Sequence, residues 1–371
     1  MIYLDNAATS FYKPPTVAQA VLDAMRTCAS PGRGGYRAAM AAAEQVYGCR
    51  EIASELFDCS PEQVVFTANC TEGLNMAIRT LVQPGDRVVI SGFEHNAVLR
   101  LLHALKAEIR VAGRKLFNSK DTLDSFENEL KKKPAAAIFT HISNVFGYIL
   151  PTKEMSQLCR RYKVPFVIDA AQSAGVIPIS LRDTGADFIA MPGHKALLGP
   201  QGTGILLCGS VPAPLKYGGT GSESRMPEMP EWLPERGEAG TLNVPGICGL
   251  QAGLRYLRNA GVEMIGNRER KLAEYCAERL RAEGYRVFSG ESQSGVVSFL
   301  PSGDCEELAE HLAKRNIAVR AGLHCAPLAH ESAGTLESGT VRVSFGYGSR
   351  KAHVDRLMEH LLFLNGNMKK F

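Results

Sequence analysis

Lys195 follows a short apolar run, residues 188–191, across the break Pro192-Gly193-His194. A glycine-rich segment then leads into a second apolar run at 205–208. A lysine closing a buried strand loses hydration, which disfavours the ammonium form and frees the amine as nucleophile or base. Taken alone, it is equally a loop lysine whose stem lies on apolar surface while its charge reaches water. Other strand-like runs end in polar residues too, and in open parallel sheets ligands bind beyond the carboxyl ends of strands. Thr71 and Glu72 follow the run 64–67 at a helix start, where free N–H groups and a hydroxyl can hold a phosphate. Thr71 could equally be a helix cap. His95 follows 87–91 and offers a flat ring for stacking, or a solvated loop side chain. Asn144 follows 135–140 and either bonds a ligand or shapes its turn. Asp169 ends 166–169, with Gln172 three residues on; a carboxylate closing an apolar run needs a partner, either a ligand cation or a helix cap.

A buried amine, an acid, a planar histidine and a phosphate cradle together fit pyridoxal 5'-phosphate. The lysine would form a Schiff base and the aspartate would keep the pyridine nitrogen protonated. No two His or Cys residues show helical ligand spacing, so a metal site is not expected.

These residues need a scaffold, and the pattern supplies one. Apolar runs with little polar alternation recur at 64–67, 87–91, 109–111, 135–140, 166–169, 188–191 and 205–208, with helical patterns between several of them. That predicts an α/β fold whose mostly parallel sheet is covered on both faces. Residues 218–238, rich in Gly, Ser, Pro and Glu and holding the only tryptophan, Trp232, read as a long functional loop. Beyond it, helices at 249–259, 262–283 and 305–315 alternate with strands at 285–288, 295–299, 318–321 and 341–345 in an α+β part. We expect a large domain over 13–255 and a smaller one over 256–371, with residues 1–12 packing against the smaller.

The 371 residues are 45% hydrophobic and 22% charged, as in ordinary globular proteins. A net charge of +4 is too slight to imply a nucleic-acid partner. No apolar run is long enough for a bilayer span, and the start carries no signal-peptide pattern, so the expected location is the cytoplasm. Ten scattered cysteines without a CxxC pair predict neither a disulfide framework nor a zinc site.

Ordered motifs then carry a resemblance over nearly the whole chain. They are Asp5-Asn6-Ala7-Ala8-Thr9, Thr71-Glu72-Gly73-Leu74-Asn75, Glu94-His95, His141-Ile142-Ser143-Asn144-Val145-Phe146-Gly147, Asp169-Ala170-Ala171-Gln172, Gly193-His194-Lys195 with Glu238-Ala239-Gly240-Thr241, and Arg320-Ala321-Gly322-Leu323-His324-Cys325-Ala326. The chain resembles the class V aminotransferase family of fold-type I enzymes, and within it the group II cysteine desulfurases and selenocysteine lyases. The resemblance implies that Lys195 carries the Schiff base and moves the substrate's Cα proton, and that His95 stacks on the ring. Asp169 would pair with the pyridinium, and Asn144 and Gln172 would contact the ring oxygen and its surroundings. Thr71, Glu72, His194 and, from a second subunit of a homodimer, Thr241 would lie at the phosphate. Asn6, Ala7 and Arg342 would bind substrate, the arginine holding its carboxylate.

Cys325 would attack the sulfur of L-cysteine, keep it as a persulfide and leave alanine, before passing it to a sulfur-acceptor protein. L-selenocysteine is a further expected substrate. Arg320 and His324 are expected to lower the Cys325 pKa. Pro192, Leu323 and Tyr36 depart from the family pattern, where relatives carry a hydroxyl residue, a second polar residue and a histidine. Two alternatives stand beside the desulfurase. One is a transaminase or other β-lyase with a structural Cys325, and the other is a non-catalytic sulfur-carrier or interaction scaffold.

Overall fold

The structure, a computed structural model, describes residues 1–32 and 34–368; Arg33, in the glycine-rich loop at 31–35, lies outside them. Its strands in chain order are β1 Ile2–Tyr3, β2 Val64–Thr67, β3 Arg87–Ser91, β4 Glu108–Ala112, β5 Ala136–Thr140, β6 Phe166–Asp169, β7 Phe188–Pro192, β8 Gly204–Cys208, β9 Arg286–Phe288, β10 Val296–Leu300, β11 Ile317–Ala318, β12 Arg320–Gly322 and β13 Thr340–Ser344. Seven form one sheet in the order β2-β8-β7-β6-β5-β3-β4, in which β8 alone runs against the rest. This is the expected mostly parallel α/β sheet. Every residue of β2, β5, β6, β7 and β8 is buried, as continuous apolar runs require when helices cover both faces.

One face packs a cluster built on Phe66, Phe139, Phe166 and Ile189; the other packs Val65, Ile90, Ile138 and Ala190 with the helix Cys70–Leu81. The parallel register Thr140↔Asp169 and Asp169↔Ala190 sets the ends of β5, β6 and β7 side by side. The residues that follow those strands therefore meet on one edge.

The second sheet, β12-β13-β10-β9, is antiparallel and has its own core, including Val297, Phe299, Val341 and Val343. The apolar run 318–321, expected to be one strand, is two. β11 pairs in parallel with β1, whereas β12 pairs with β13 in the antiparallel sheet. The break redirects the chain by one residue, Val319, so that Arg320 lies opposite Arg342. Leu4 sits in the same core as Val341, and Asp5 bridges to Ser344, so the N-terminal segment is stitched to β11 and β13.

The loop at 218–238 carries no regular strand, and a buried ion pair anchors its end. Arg50, on the helix Arg37–Phe57, donates from Nη1 to Glu238 Oε1 at 2.9 Å and from Nη2 to Oε2 at 2.5 Å. Glu238 Oε1 also accepts from Phe66 N–H at 2.6 Å, and the Arg50 guanidinium lies 4.5 Å from the centroid of the Phe66 ring. Breaking a buried pair leaves one charge without compensation. Arg50→Met is therefore expected to cost about 3–5 kcal/mol in denaturant unfolding. The double variant Arg50→Met/Glu238→Leu should recover part of that loss.

Candidate active site

Lys195 reaches the sheet edge because the chain turns sharply after Pro192. Gly193 donates to Thr203 O at 2.8 Å, and any Cβ on Gly193 would overlap the Thr203 hydroxyl. Only glycine lets the turn pass this close to β8. The amine beyond it is buried, and desolvation lowers its pKa, while Cys70 and Asp169 pull the other way. Asp169, 2% exposed at the end of β6, has Oδ1 fixed by the N–H of Ala171 at 2.9 Å and by the Cys70 thiol at 3.5 Å. No hydrogen bond engages its Oδ2 among the described residues. A carboxylate with one oxygen fixed and the other open, beside a desolvated amine, fits a cationic ring nitrogen of a lysine-bound pyridoxal phosphate.

His95 caps the helix Asn96–Ala104, its Nδ1 accepting from Ala97 N–H at 3.0 Å. Burial lowers its pKa, so the ring is neutral and its remaining proton belongs on Nε2. Asn144 donates from Nδ2 to His324 O at 2.8 Å, and its own carbonyl accepts from Arg342 Nη1 at 3.0 Å. Arg342, 2% exposed, donates from Nη2 to Asp5 at 2.9 Å, and its Nε–H is buried without a partner. Three N–H groups of the guanidinium therefore remain for a ligand, although the free fork expected for a carboxylate is partly spent on Asp5 and Asn144. Asn6 and Ala7 are held at β13: Asn6 Nδ2 donates to Ser344 O at 3.0 Å, and Ala7 N–H donates to Ser344 Oγ at 2.9 Å. Gln172 donates to Ala7 O at 2.9 Å, which leaves its Oε1 for other contacts.

At the expected phosphate end, the helix Cys70–Leu81 is capped by Asn69, whose side chain accepts from Glu72 N–H at 2.9 Å. The Glu72 carboxylate is taken by Ala68 N–H and by Lys216 at 2.7 Å. Glu72 thus shapes the turn, leaving the Cys70 and Thr71 N–H groups and the exposed Thr71 side chain for an anion. His194 is uncharged: burial, with Lys195 and Lys13 adding repulsion, pushes its pKa down to about 4, and its Nδ1 lies 3.0 Å from Thr9 Oγ1. Any phosphate contact it makes is a neutral one through Nε2. Thr241 does not join Lys195. It is exposed, lining one pocket with Ala68 and Glu72 and another with Gly219, Arg50 and Gly32, and it is not on the walls of the cavity beside the lysine.

Cys325 is exposed on the turn between β12 and the helix Pro327–Ala333. His324 and Cys325 both have left-handed backbones, with φ of 52° and 56°. Such backbones cost about 1–3 kcal/mol each and persist only where surroundings hold them. The holding is visible: Asn96 N–H donates to Cys325 O at 2.7 Å, one residue past His95, while Asn144 grips His324 O. The expectation that His324 lowers the Cys325 pKa is corrected here. His324 is buried beside His330, ring centroids 5.7 Å apart, and burial pushes its pKa down to about 2, so it carries no charge to offer. Arg320 is the cation in range; its own pKa is raised first by its hydrogen bond to Asp5, with Cys325 adding to the effect.

Two contributors lay outside the expected set, Asp5 and Cys70. Asp5 stands within one of the ordered motifs and Cys70 beside another, and a carboxylate directly after a short apolar start is the available signal for Asp5.

Fold and site together define an α/β enzyme that works through a carbonyl cofactor held on a lysine. A family model described as Aminotransferase class-V matches residues 2–357. The chain belongs to that class V aminotransferase family. It is 32% identical to a probable cysteine desulfurase of Pyrococcus abyssi, over 93% of this chain and 89% of the relative. Among solved structures it is similar to a cysteine desulfurase from Thermococcus onnurineus, with a TM-score of 0.90 and 30% identity over 98% of this chain and 94% of the other. It is also similar to the cysteine desulfurase CsdA from Escherichia coli, with a TM-score of 0.83 and 26% identity over 97% and 93%.

The neutral histidines make a prediction about stability. His141, His194 and His330 have folded pKa values near 4, below the ordinary 6.5, so the unfolded chain binds their protons first as pH falls. Their contribution is fully present above 6.5 and is lost as pH drops towards 4. The urea midpoint should fall steadily across that window, and His141→Asn should flatten the slope.

Proposed function

We infer that this chain is a pyridoxal 5'-phosphate-dependent cysteine desulfurase that converts L-cysteine to L-alanine and holds the released sulfur on Cys325. The observation that carries the reading is an exposed cysteine on a strained, anchored turn, tied through Asn96 to the helix capped by His95. The cofactor, when bound, draws electrons from the substrate's Cα and so weakens the Cβ–S bond. Lys195, desolvated beside Asp169, moves the proton at Cα. Asp169 presents its open oxygen to the ring nitrogen, and neutral His95 offers a face for stacking. Arg342 holds the substrate carboxylate with its unspent N–H groups, while Asn6 and Ala7 wall that end. The Cys325 thiolate attacks the substrate sulfur; an S–S bond forms, the Cβ–S bond breaks, and the carbon takes a proton to become alanine.

Cys325→Ala should therefore lower alanine formation from cysteine by about 100-fold or more. With selenocysteine the loss should be smaller, because selenium leaves more readily. Quantifying alanine from both substrates, wild type beside variant, checks this; equal alanine yields from cysteine would return Cys325 to a structural role. Release of amino groups to a keto acid without sulfur would favour the transaminase alternative.

The exposure of Thr241, which makes no hydrogen bond among the described residues, is consistent with a homodimer in which this residue reaches the second subunit's phosphate. Mixing Lys195→Ala and Thr241→Ala subunits should restore activity above either variant alone, since such hybrids contain one intact site. No recovery in verified hybrids would place Thr241 outside the partner's site.

A further inference from the structure

Beside Lys195 lies a cavity of about 50 Å³ that runs from Asn6, Ala7 and Gln172 to Glu269 and Ser294, two groups the proposed chemistry does not use. It is walled by the N-terminal segment at Asn6, the residues after β6 and β7 including Gln172 and Lys195, and the far side at Glu269 and Ser294. His95, Asp169 and Cys325 are not on its walls, so the lysine stands between two spaces. Glu269, on the helix Val262–Ala282, is 6% exposed, and its carboxyl group has no hydrogen-bond or ion-pair partner among the described residues. Its sequence neighbour Arg268 also lines the cavity but forms no bond to it, donating instead to Ser349 O at 2.6 Å and to Tyr347 O at 3.5 Å. Ser294 Oγ is likewise buried without a partner.

Two unpaired polar groups on one cavity are not left dry. Each costs about 1–3 kcal/mol unless something bonds it. A water needs roughly 10–15 Å³ of such space, so the cavity has room for about three or four. It is too small for an amino-acid substrate. Burial also brings the two ends towards each other in proton affinity. It pushes the Glu269 carboxyl up to about 8, with Arg268 opposing, and pushes the Lys195 amine down. The other titratable or charged groups on the walls are Arg268, Tyr256 and Tyr347.

We propose that this cavity holds a chain of waters joining Glu269 to Lys195, and that Glu269 stores the proton which Lys195 gives up and takes back during turnover. Where Glu269 is ionised, at pH near 8 and above, a proton lost by the lysine ammonium passes along the waters and the Glu269 carboxylate becomes a carboxylic acid. The reverse step restores both, so no net proton is gained. Glu269 is a proton-relay residue and touches neither substrate nor cofactor. The inference rests on Lys195 as the proton-moving lysine of the proposed function, and not on Cys325.

The test uses the holoenzyme and L-alanine in deuterium oxide, following exchange of the α-hydrogen by NMR, a reaction that involves no sulfur. Glu269→Gln keeps the shape and the hydrogen bonding but cannot store the proton. Its exchange should be about tenfold slower or more, with an unchanged dependence on alanine concentration. Its pH profile should lose the inflection that wild type shows near 8. Exchange at the wild-type rate with the wild-type profile overturns the proposal. No exchange in wild type removes the Lys195 assignment, and this inference with it.

Two measurements are independent of turnover. Infrared spectra of the cofactor-free protein should show carboxylic-acid absorbance that titrates near 8 from both Glu94 and Glu269, and Glu269→Gln should lose one of the two contributions. A high-resolution crystal structure of the wild type should show ordered waters from Glu269 to Lys195. A dry cavity there overturns the relay even if Glu269→Gln fails to fold.

Discussion

The buried pair Asp5–Arg342 is the contact on which the arrangement of the site depends. Its 2.9 Å bond joins a residue near the chain start to one on β13, and Arg320 adds a second guanidinium at 2.8 Å from the other carboxylate oxygen. Arg342 alone would be a costly charge to bury, and desolvation does lower its pKa. With Asp5 on one side and the Asn144 carbonyl on the other, the charge is compensated and the side chain can take only one direction. The same contacts bring Asn6 and Ala7 against Ser344, and Gln172 against Ala7. An ion pair of this kind adds little net stability compared with apolar packing, so its value here is orientation.

Around that pair, burial sorts the titratable groups by charge. His95, His194 and His324 all have lowered pKa values because water is excluded from them. A neutral ring can stack or accept a hydrogen bond without repelling Lys195 or Arg342. Glu94, fully buried with Oε1 accepting from Ser91 Oγ and Thr140 N–H, is raised to about 8 and so adds no negative charge beside Asp169. The site therefore keeps its formal charges where chemistry needs them and neutralises the rest by desolvation.

Much of this was legible in the sequence because it follows from local pattern. Lys195, Asp169, Asn144 and His95 each follow an uninterrupted apolar run, and parallel strands put such residues on one edge whatever their separation in the chain. What escaped depended on direction in space. Asp5 lies more than 300 positions from Arg320 and Arg342 in the chain, and no periodicity links them. The break at Val319 was hidden because both halves of 318–321 are equally strand-like; only the two different partners, β1 and β13, separate them. His324 was assigned a charge it does not carry because its neighbour in sequence is Cys325, whereas its neighbour in space is His330. Glu72 looked available for the same reason, since Lys216 comes from a distant loop.

The turn at 324–325 shows how a parallel sheet and an appended antiparallel one divide the labour. β3 and β5 present Asn96 and Asn144 from the large sheet, and each captures a backbone carbonyl of the turn that follows β12. Neither contact involves the thiol, so the side chain of Cys325 is left exposed while its backbone is fixed from two directions. The left-handed conformation at both residues is the cost of that placement, offset by charge-free hydrogen bonds of 2.7 and 2.8 Å. The role proposed for this thiol, taking substrate sulfur and delivering it to another molecule, calls for both properties at once, a rigid mount and an open face.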